Sequence, residues 1–144
     1  GEGPEIGANG EHCWPNSLDI MGWDVEEDGL KARFAQSIPG LVQSDFRKLL
    51  DEFLARNKIE LGDIDDFACH PGGAKVLDAL EEALEIQHGD LKDSRSILRD
   101  FGNMSAVTAL FVAERMDVRH KKQRTLMTAL GPGFSAVFQM IEGR

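Results

Sequence analysis

A chain of 144 residues is one domain's length, and 42% apolar with 28% charged residues can build a core without disulfides or metal, which excludes a disordered, collagen-like or low-complexity chain. With 16 basic against 25 acidic residues the formal charge is −9, which repels a phosphate backbone and an anionic lipid surface alike and argues against nucleic acid or a membrane as partner. The longest mostly apolar run, residues 125–138, is broken by Gly131-Pro132-Gly133 and falls short of the ~18 to 20 residues of a spanning helix, so a soluble chain is expected.

Residues 1–28, rich in glycine and closed by Asp24, Glu26, Glu27 and Asp28, read as an irregular lead-in to a domain of residues 29–144. Leu30, Ala32 and Phe34 then alternate with Lys31, Arg33 and Ala35, the period of a half-buried strand with one wet face. Pro39 suits a helix start, and Leu41, Val42, Phe46, Leu49, Leu50, Phe53 and Leu54 predict an amphipathic helix to about Arg56. A short strand is expected over 64–70, leaving an acidic turn at Asp63, Asp65 and Asp66. After His70-Pro71-Gly72-Gly73, a second helix carries Val76, Leu77, Leu80, Ala83 and Leu84 on its apolar face and Glu81, Glu82 and Glu85 on the other. A third spans about 91–101 and stops at Gly102, a left-handed C′ residue, after which Asn103 suits the N-cap of a fourth helix through Val107, Leu110, Phe111 and Met116. The basic run Arg115, Arg119, His120, Lys121, Lys122 and Arg124 is expected to be a solvated loop. Residues 125–130 and 134–141 read as a hairpin through a type II turn at Gly131-Pro132-Gly133, and strands mixed with helices point to a layered α/β domain with a mixed sheet.

His70 ends a strand before a proline and two glycines that open a helix. That is either a plain strand-to-helix turn or a place where a ligand reaches the backbone at a positive helix end. Asn103 is either an N-cap or an amide donor to a developing oxyanion. The two cysteines, with no secretory pattern, suit a reduced, cytoplasmic protein, and neither site chemistry nor fold calls for a disulfide. Cys69 and His70 are adjacent on a strand and point to opposite faces, so they serve neither one metal ion nor one nucleophile-base pair; no metal is expected, and Cys69 reads as a buried strand residue. Gly1 in place of a starting methionine suggests processing, a tag scar or a piece cut from a longer protein, and residues 141–144 spell a protease-cleavage linker that a natural tail explains equally well.

Taken together, Cys69-His70-Pro71-Gly72-Gly73-Ala74-Lys75-Val76-Leu77-Asp78, Leu98-Arg99-Asp100-Phe101-Gly102-Asn103-Met104-Ser105-Ala106 and Leu130-Gly131-Pro132-Gly133-Phe134 resemble, in order, the C-terminal domain of type III polyketide synthases, the chalcone and stilbene synthase family. The resemblance implies a thiolase-like half, layered α-β-α with a mixed sheet, whose partner half carries an acylated cysteine. Such enzymes condense an acyl-CoA starter with malonyl-CoA after decarboxylation, with CoA thioesters as substrates, no separate cofactor and a homodimeric assembly. His70 matches the catalytic histidine and Asn103 the catalytic asparagine. Ser105 and Pro132 match pocket-lining residues, and Gly72 and Gly73 match the backbone that meets the pantetheine arm. Aligning Gly29-Leu30 and Pro39-Gly40 puts Ala32 at the family's gating phenylalanine, implying a wider passage, although a shift of one or two residues would give that role to Phe34.

This chain departs from the family at Ala129-Leu130, where Gly-Phe is common, and lacks the first half. Neither cysteine sits in a matching nucleophile context, so the chain alone is expected to be inactive. The rival readings are a fatty-acid type ketoacyl synthase using a carrier protein and a non-catalytic half-domain that binds a partner.

Overall fold

In the computed structural model, which describes residues 3–120 and 122–143, strands β1 (Glu5–Cys13), β6 (Ser135–Glu142), β5 (Arg124–Gly131) and β4 (Asp66–Cys69) lie side by side in that order. β1 and β5 run antiparallel to β6, whereas β4 runs parallel to β5, which makes the sheet mixed as the sequence predicts.

Period-two alternation gives this sheet two buried faces. Cys69, Leu126, Phe138 and Met140 pack with Phe46, Leu50, Phe53, Leu77 and Leu80 on one side. Ala68 and Met127, each one residue out of step, pack with Ile97, Val112, Ala113 and Met116 on the other. The first layer comes from α1 (Ile38–Leu41), a π-helical turn (Val42–Phe46), α2 (Arg47–Asn57) and α3 (Ala74–Ala83). Pro39 sits in the first turn of that run, where its missing N–H costs nothing. The second layer comes from α4 (Lys92–Phe101) and α5 (Val107–Arg115). The order helix, sheet, helix is the layering expected.

Several expectations are corrected. The lead-in is not irregular: β1 pairs along β6, and β2 (Met21–Glu26) pairs with β3 (Gly29–Phe34) in a separate ribbon. β1 lacks a hydrophobic alternation because its glycines serve packing; a Cβ on Gly10 would stand 2.8 Å from Phe53 Cδ2, and Phe53 stacks on Phe138, the residue opposite Gly10. β3 is exposed along its whole length rather than half-buried, since the ribbon lies outside the main sheet. Glu81, assigned to a solvated helix face, is 1% exposed because Arg95 meets it there. On α5 the buried face is Thr108, Ala109, Val112 and Ala113, whereas Val107, Leu110 and Phe111 face outward.

The basic run is divided among elements. Arg115 ends α5 and donates to Asp100 Oδ2 at 2.7 Å, and Arg124 opens β5 and donates to Glu142 Oε2 at 2.9 Å. Lys121 lies outside the described residues, as do Gly1, Glu2 and Arg144.

Candidate active site

His70 extends the edge of the sheet by one residue. Its N–H donates to the Thr128 carbonyl at 2.8 Å, continuing the parallel register in which Cys69 faces Thr128. Pro71 then turns the chain within three residues, with the Gly72 N–H donating to the His70 carbonyl at 3.0 Å; proline's fixed φ suits that tight turn. The Gly73 carbonyl accepts from Val76 and Leu77, at 3.1 Å each, and so begins α3. The glycines are not demanded by crowding within this chain: a Cβ on Gly73 meets no described atom within 4 Å, and one on Gly72 makes only ordinary contact with Val76.

The His70 side chain is 9% exposed, and its Nδ1 is buried without a hydrogen-bond partner. Burial pushes the imidazole below its ordinary pKa and favours the neutral ring, which keeps one N–H to donate. The preceding residue behaves differently. Cys69 is fully buried, and burial, followed by the Glu81 carboxylate, pushes its thiol far up, so it offers no thiolate. Cys13 is exposed on β1.

Asn103 arrives on the end of α4. Gly102 ends that helix with its N–H on the Leu98 carbonyl at 2.9 Å and takes φ 72°, ψ −169°, a positive-φ extended conformation open to little but glycine. The left-handed turn expected there is therefore corrected in ψ but not in its need for glycine. Asn103 does not cap α5. Its Oδ1 accepts the Ser105 N–H at 2.9 Å, an Asx-type turn with Ser105 at positive φ, and α5 begins only at Val107. Within that turn the Met104 N–H donates to the buried Thr108 hydroxyl at 2.8 Å, which donates onward to the Ser105 carbonyl at 2.7 Å, while Ala106 stands at the N-cap with no side-chain cap bond. The Asn103 amide nitrogen meanwhile donates to the Gly72 carbonyl at 3.4 Å, and this contact joins the two turns. One of its two N–H groups is thereby occupied.

Pro132 reaches the same end of the sheet by topology. Because β4 and β5 run parallel, the residues after Cys69 and after Gly131 leave the sheet at one edge, the carboxyl end where α/β folds commonly bind ligands. Pro132 is exposed at the hairpin tip, with Gly133 at φ 105° as a type II turn requires. That tip is clamped by Ser17, a residue that no motif or periodicity marks. Ser17, 2% exposed, accepts the Phe134 N–H at 2.6 Å and lies 2.9 Å from the Gly133 carbonyl oxygen. Ser105 is exposed beside Asn103. Ala32 lies on the ribbon opposite Trp23, exposed, and no described contact brings it to His70.

Two other features are set apart from these turns. A cavity of about 270 Å³ opens at the other end of β4, among Asp65, Asp66, Phe67, Leu91 and Met116, and includes neither His70 nor Asn103. Asp78, Glu81 and His88 bring possible metal-ligating atoms within 4.8 Å of one another, but Arg95 Nη2 already sits 2.7 Å from Asp78 and 2.5 Å from Glu81.

The chain matches the family described as chalcone and stilbene synthases, C-terminal domain, over residues 5–142. It is 42% identical over 123 residues to a putative chalcone synthase of Bacillus subtilis (strain 168), covering 83% of this chain and 34% of that protein. It is 33% identical over 141 residues to 1,3,6,8-tetrahydroxynaphthalene synthase of Streptomyces peucetius subsp. caesius, covering 96% of this chain and 37% of that protein. The chain thus spans little more than a third of the length of these relatives. In fold it is similar to the crystal structure of 1,3,6,8-tetrahydroxynaphthalene synthase from Streptomyces coelicolor A3(2), a bacterial type III polyketide synthase, with TM-score 0.89, 24% identity, and coverage of 100% of this chain and 42% of that one. With the family match spanning nearly every residue and the thiolase-like layering in place, the chain belongs to the chalcone and stilbene synthases as their C-terminal domain.

Proposed function

We propose that this chain supplies the carbanion-stabilising side of a decarboxylative Claisen site, which extends an acyl group from an acyl-CoA starter with malonyl-CoA. The observation that carries this reading is the hydrogen bond from the Asn103 amide to the Gly72 carbonyl, which brings the Asn103 turn against the turn that follows His70. When the Cα–carboxylate bond of malonyl-CoA breaks, CO₂ leaves and the electron pair passes into the thioester as an enolate. Its oxygen needs fixed donors, and the neutral His70 N–H and the second Asn103 N–H are of that kind. The enolate carbon then attacks an acyl thioester carbonyl, forming the C–C bond and expelling the thiolate that carried the acyl group. That thiolate is assigned to the part of the protein this chain does not span.

The open space beside Gly73 supports a close approach of the pantetheine arm to the backbone at Gly72 and Gly73. Pro132 and Ser105 are proposed as pocket walls, and Ala32 as a widened gate for bulky starters, to be probed with Ala32→Phe. The complete protein is read as a cytoplasmic homodimer using CoA thioesters, with neither metal nor further cofactor in the reaction.

In that complete protein, His70→Ala and Asn103→Ala each lower malonyl-CoA decarboxylation by ~10² or more. Near-normal CO₂ release from Asn103→Ala would return the residue to a structural turn. Comparing malonyl-CoA with a malonyl carrier protein separates this reading from a fatty-acid type synthase. The isolated chain is expected to be inactive, and acylation of Cys13 or Cys69 followed by malonyl-dependent product overturns that expectation.

A further inference from the structure

The contact that joins the two turns is a weak one. At 3.4 Å and exposed, the bond from Asn103 to Gly72 lies beyond the usual range for N–H···O and cannot by itself hold a two-donor site in register. Shorter and better buried bonds hold the backbone behind it, and those of Leu91, Ser94 and Arg95 converge on the start of α4.

The peptide between Cys69 and His70 is gripped at both ends. Its N–H belongs to His70 and goes to Thr128 at 2.8 Å. Its C=O belongs to Cys69 and accepts from the Ser94 hydroxyl at 2.7 Å. In a parallel ladder, successive residues direct their backbone groups to opposite sides, so with His70 bonded to β5 the Cys69 carbonyl points away from that strand. β4 is the last strand of its sheet, and the Ser94 hydroxyl takes the place a neighbouring strand would fill. Ser94 is 1% exposed, so water does not offer the carbonyl a ready substitute.

The same helix that begins by holding this carbonyl ends by presenting Gly102 and Asn103. Its placement is fixed by the next residue. Arg95 donates through Nε to Glu81 Oε1 at 3.2 Å and through Nη2 to Glu81 Oε2 at 2.5 Å and Asp78 Oδ1 at 2.7 Å, both acceptors lying on α3. Glu81 Oε1 also accepts the Leu91 N–H, at 3.0 Å, where α4 starts. The helix after His70 and the helix before Asn103 are thereby locked together.

We propose that Ser94 is a positioning residue for His70, setting the ring against Asn103 through the Cys69–His70 peptide while Arg95 and Glu81 anchor the helix from which it acts. The proposal rests on the decarboxylative reading above.

The test is malonyl-CoA decarboxylation by the complete protein, with kcat and KM measured separately for wild type, His70→Ala, Ser94→Ala, Ser94→Thr and Ser94→Cys. Ser94→Ala is expected to lower kcat about tenfold, with KM held within about twofold, because the group lost acts only on the donors that meet the enolate. Ser94→Thr keeps the hydroxyl and restores most of kcat. Ser94→Cys keeps the size with a weaker donor, and is expected to fall between them should Ser94→Ala not fold. Wild-type activity that His70→Ala abolishes and Ser94→Ala or Ser94→Cys leaves intact overturns the positioning role alone. Equal losses in Ser94→Ala and Ser94→Thr, or a loss confined to KM, also overturn it. A wild type that does not decarboxylate malonyl-CoA overturns the functional reading and this proposal together.

Discussion

The turn after β4 and the β2–β3 ribbon treat their side chains in opposite ways. Around His70 the backbone is gripped by buried bonds from Thr128 and Ser94, and the neighbouring Cys69 has no exposed surface. On the ribbon, the register pairs Met21 with Phe34, Trp23 with Ala32 and Val25 with Leu30, so that one face is wholly apolar. The other carries the ion pairs of Arg33 with Asp24 and Lys31 with Glu26. Yet Val25 is 84% exposed and Leu30 67%. The turn is complete within this chain, while the ribbon has the pattern of a buried face without the burial. Substitutions in the first region should therefore cost stability in this chain, and substitutions in the second should register mainly in association.

The largest effect is expected at Gly102. Its φ of 72° with ψ −169° lies in a region that a Cβ makes costly, so Gly102→Ala should destabilise the chain by about 1–3 kcal/mol, measured by urea unfolding. In the complete protein the same variant should also impair decarboxylation, because Asn103 follows directly. Unchanged stability would mean that the α4 terminus relaxes freely and that the Asn103 turn is less constrained than its hydrogen bonds indicate.

A smaller effect concerns pH. Burial holds the His70 pKa below its ordinary value, so the unfolded chain takes up this proton first as pH falls. The stability contributed by the neutral ring is fully present above the ordinary histidine value of about 6.5 and declines as pH falls through it toward the lower folded value. Urea titrations at pH 7.5 and 5.5 should show a loss that His70→Gln reduces. An identical loss in both proteins would assign the pH dependence to other groups.

The contrast between the two regions also decides what could be read from sequence. The turns at Pro71 and Gly102 were legible because each residue type answers a local demand, a fixed φ and a positive φ, whereas the roles of His70 and Asn103 rested on the resemblance to the family. The mixed sheet followed from the strand and helix patterns, whereas the two helical layers followed from the resemblance to the family. β1 was not legible, because its stability comes from β6, more than a hundred residues away, and from Phe53 packing on Gly10. Asn103 looked like an N-cap because its residue type suits one, but the N-cap of α5 is Ala106, three residues later, with no side-chain cap, and the Asn103 oxygen closes the turn at Ser105 instead. Glu81 looked solvated because its partner Arg95 lies on another helix. Ser94 and Ser17 were silent for the same reason, each bonding a backbone group brought near only by the fold.

The smallest effect on stability is expected on the ribbon, and it tests the comparison most sharply. Leu30 is exposed, pairs with an exposed Val25 and contributes little burial in this chain, so Leu30→Lys should change unfolding stability by no more than about 0.5 kcal/mol. The contiguous apolar face it interrupts should nevertheless drive self-association of the isolated chain, since surfaces of that kind find partners. Sedimentation at rising concentration should show larger species for the unmodified chain and a shift toward monomer for Leu30→Lys. If both remain monomeric, the ribbon's apolar face is too small or too mobile to act as an interface. If Leu30→Lys instead unfolds the chain, the ribbon contributes to the fold despite its exposure, and the division between a self-sufficient turn and an unfinished surface fails.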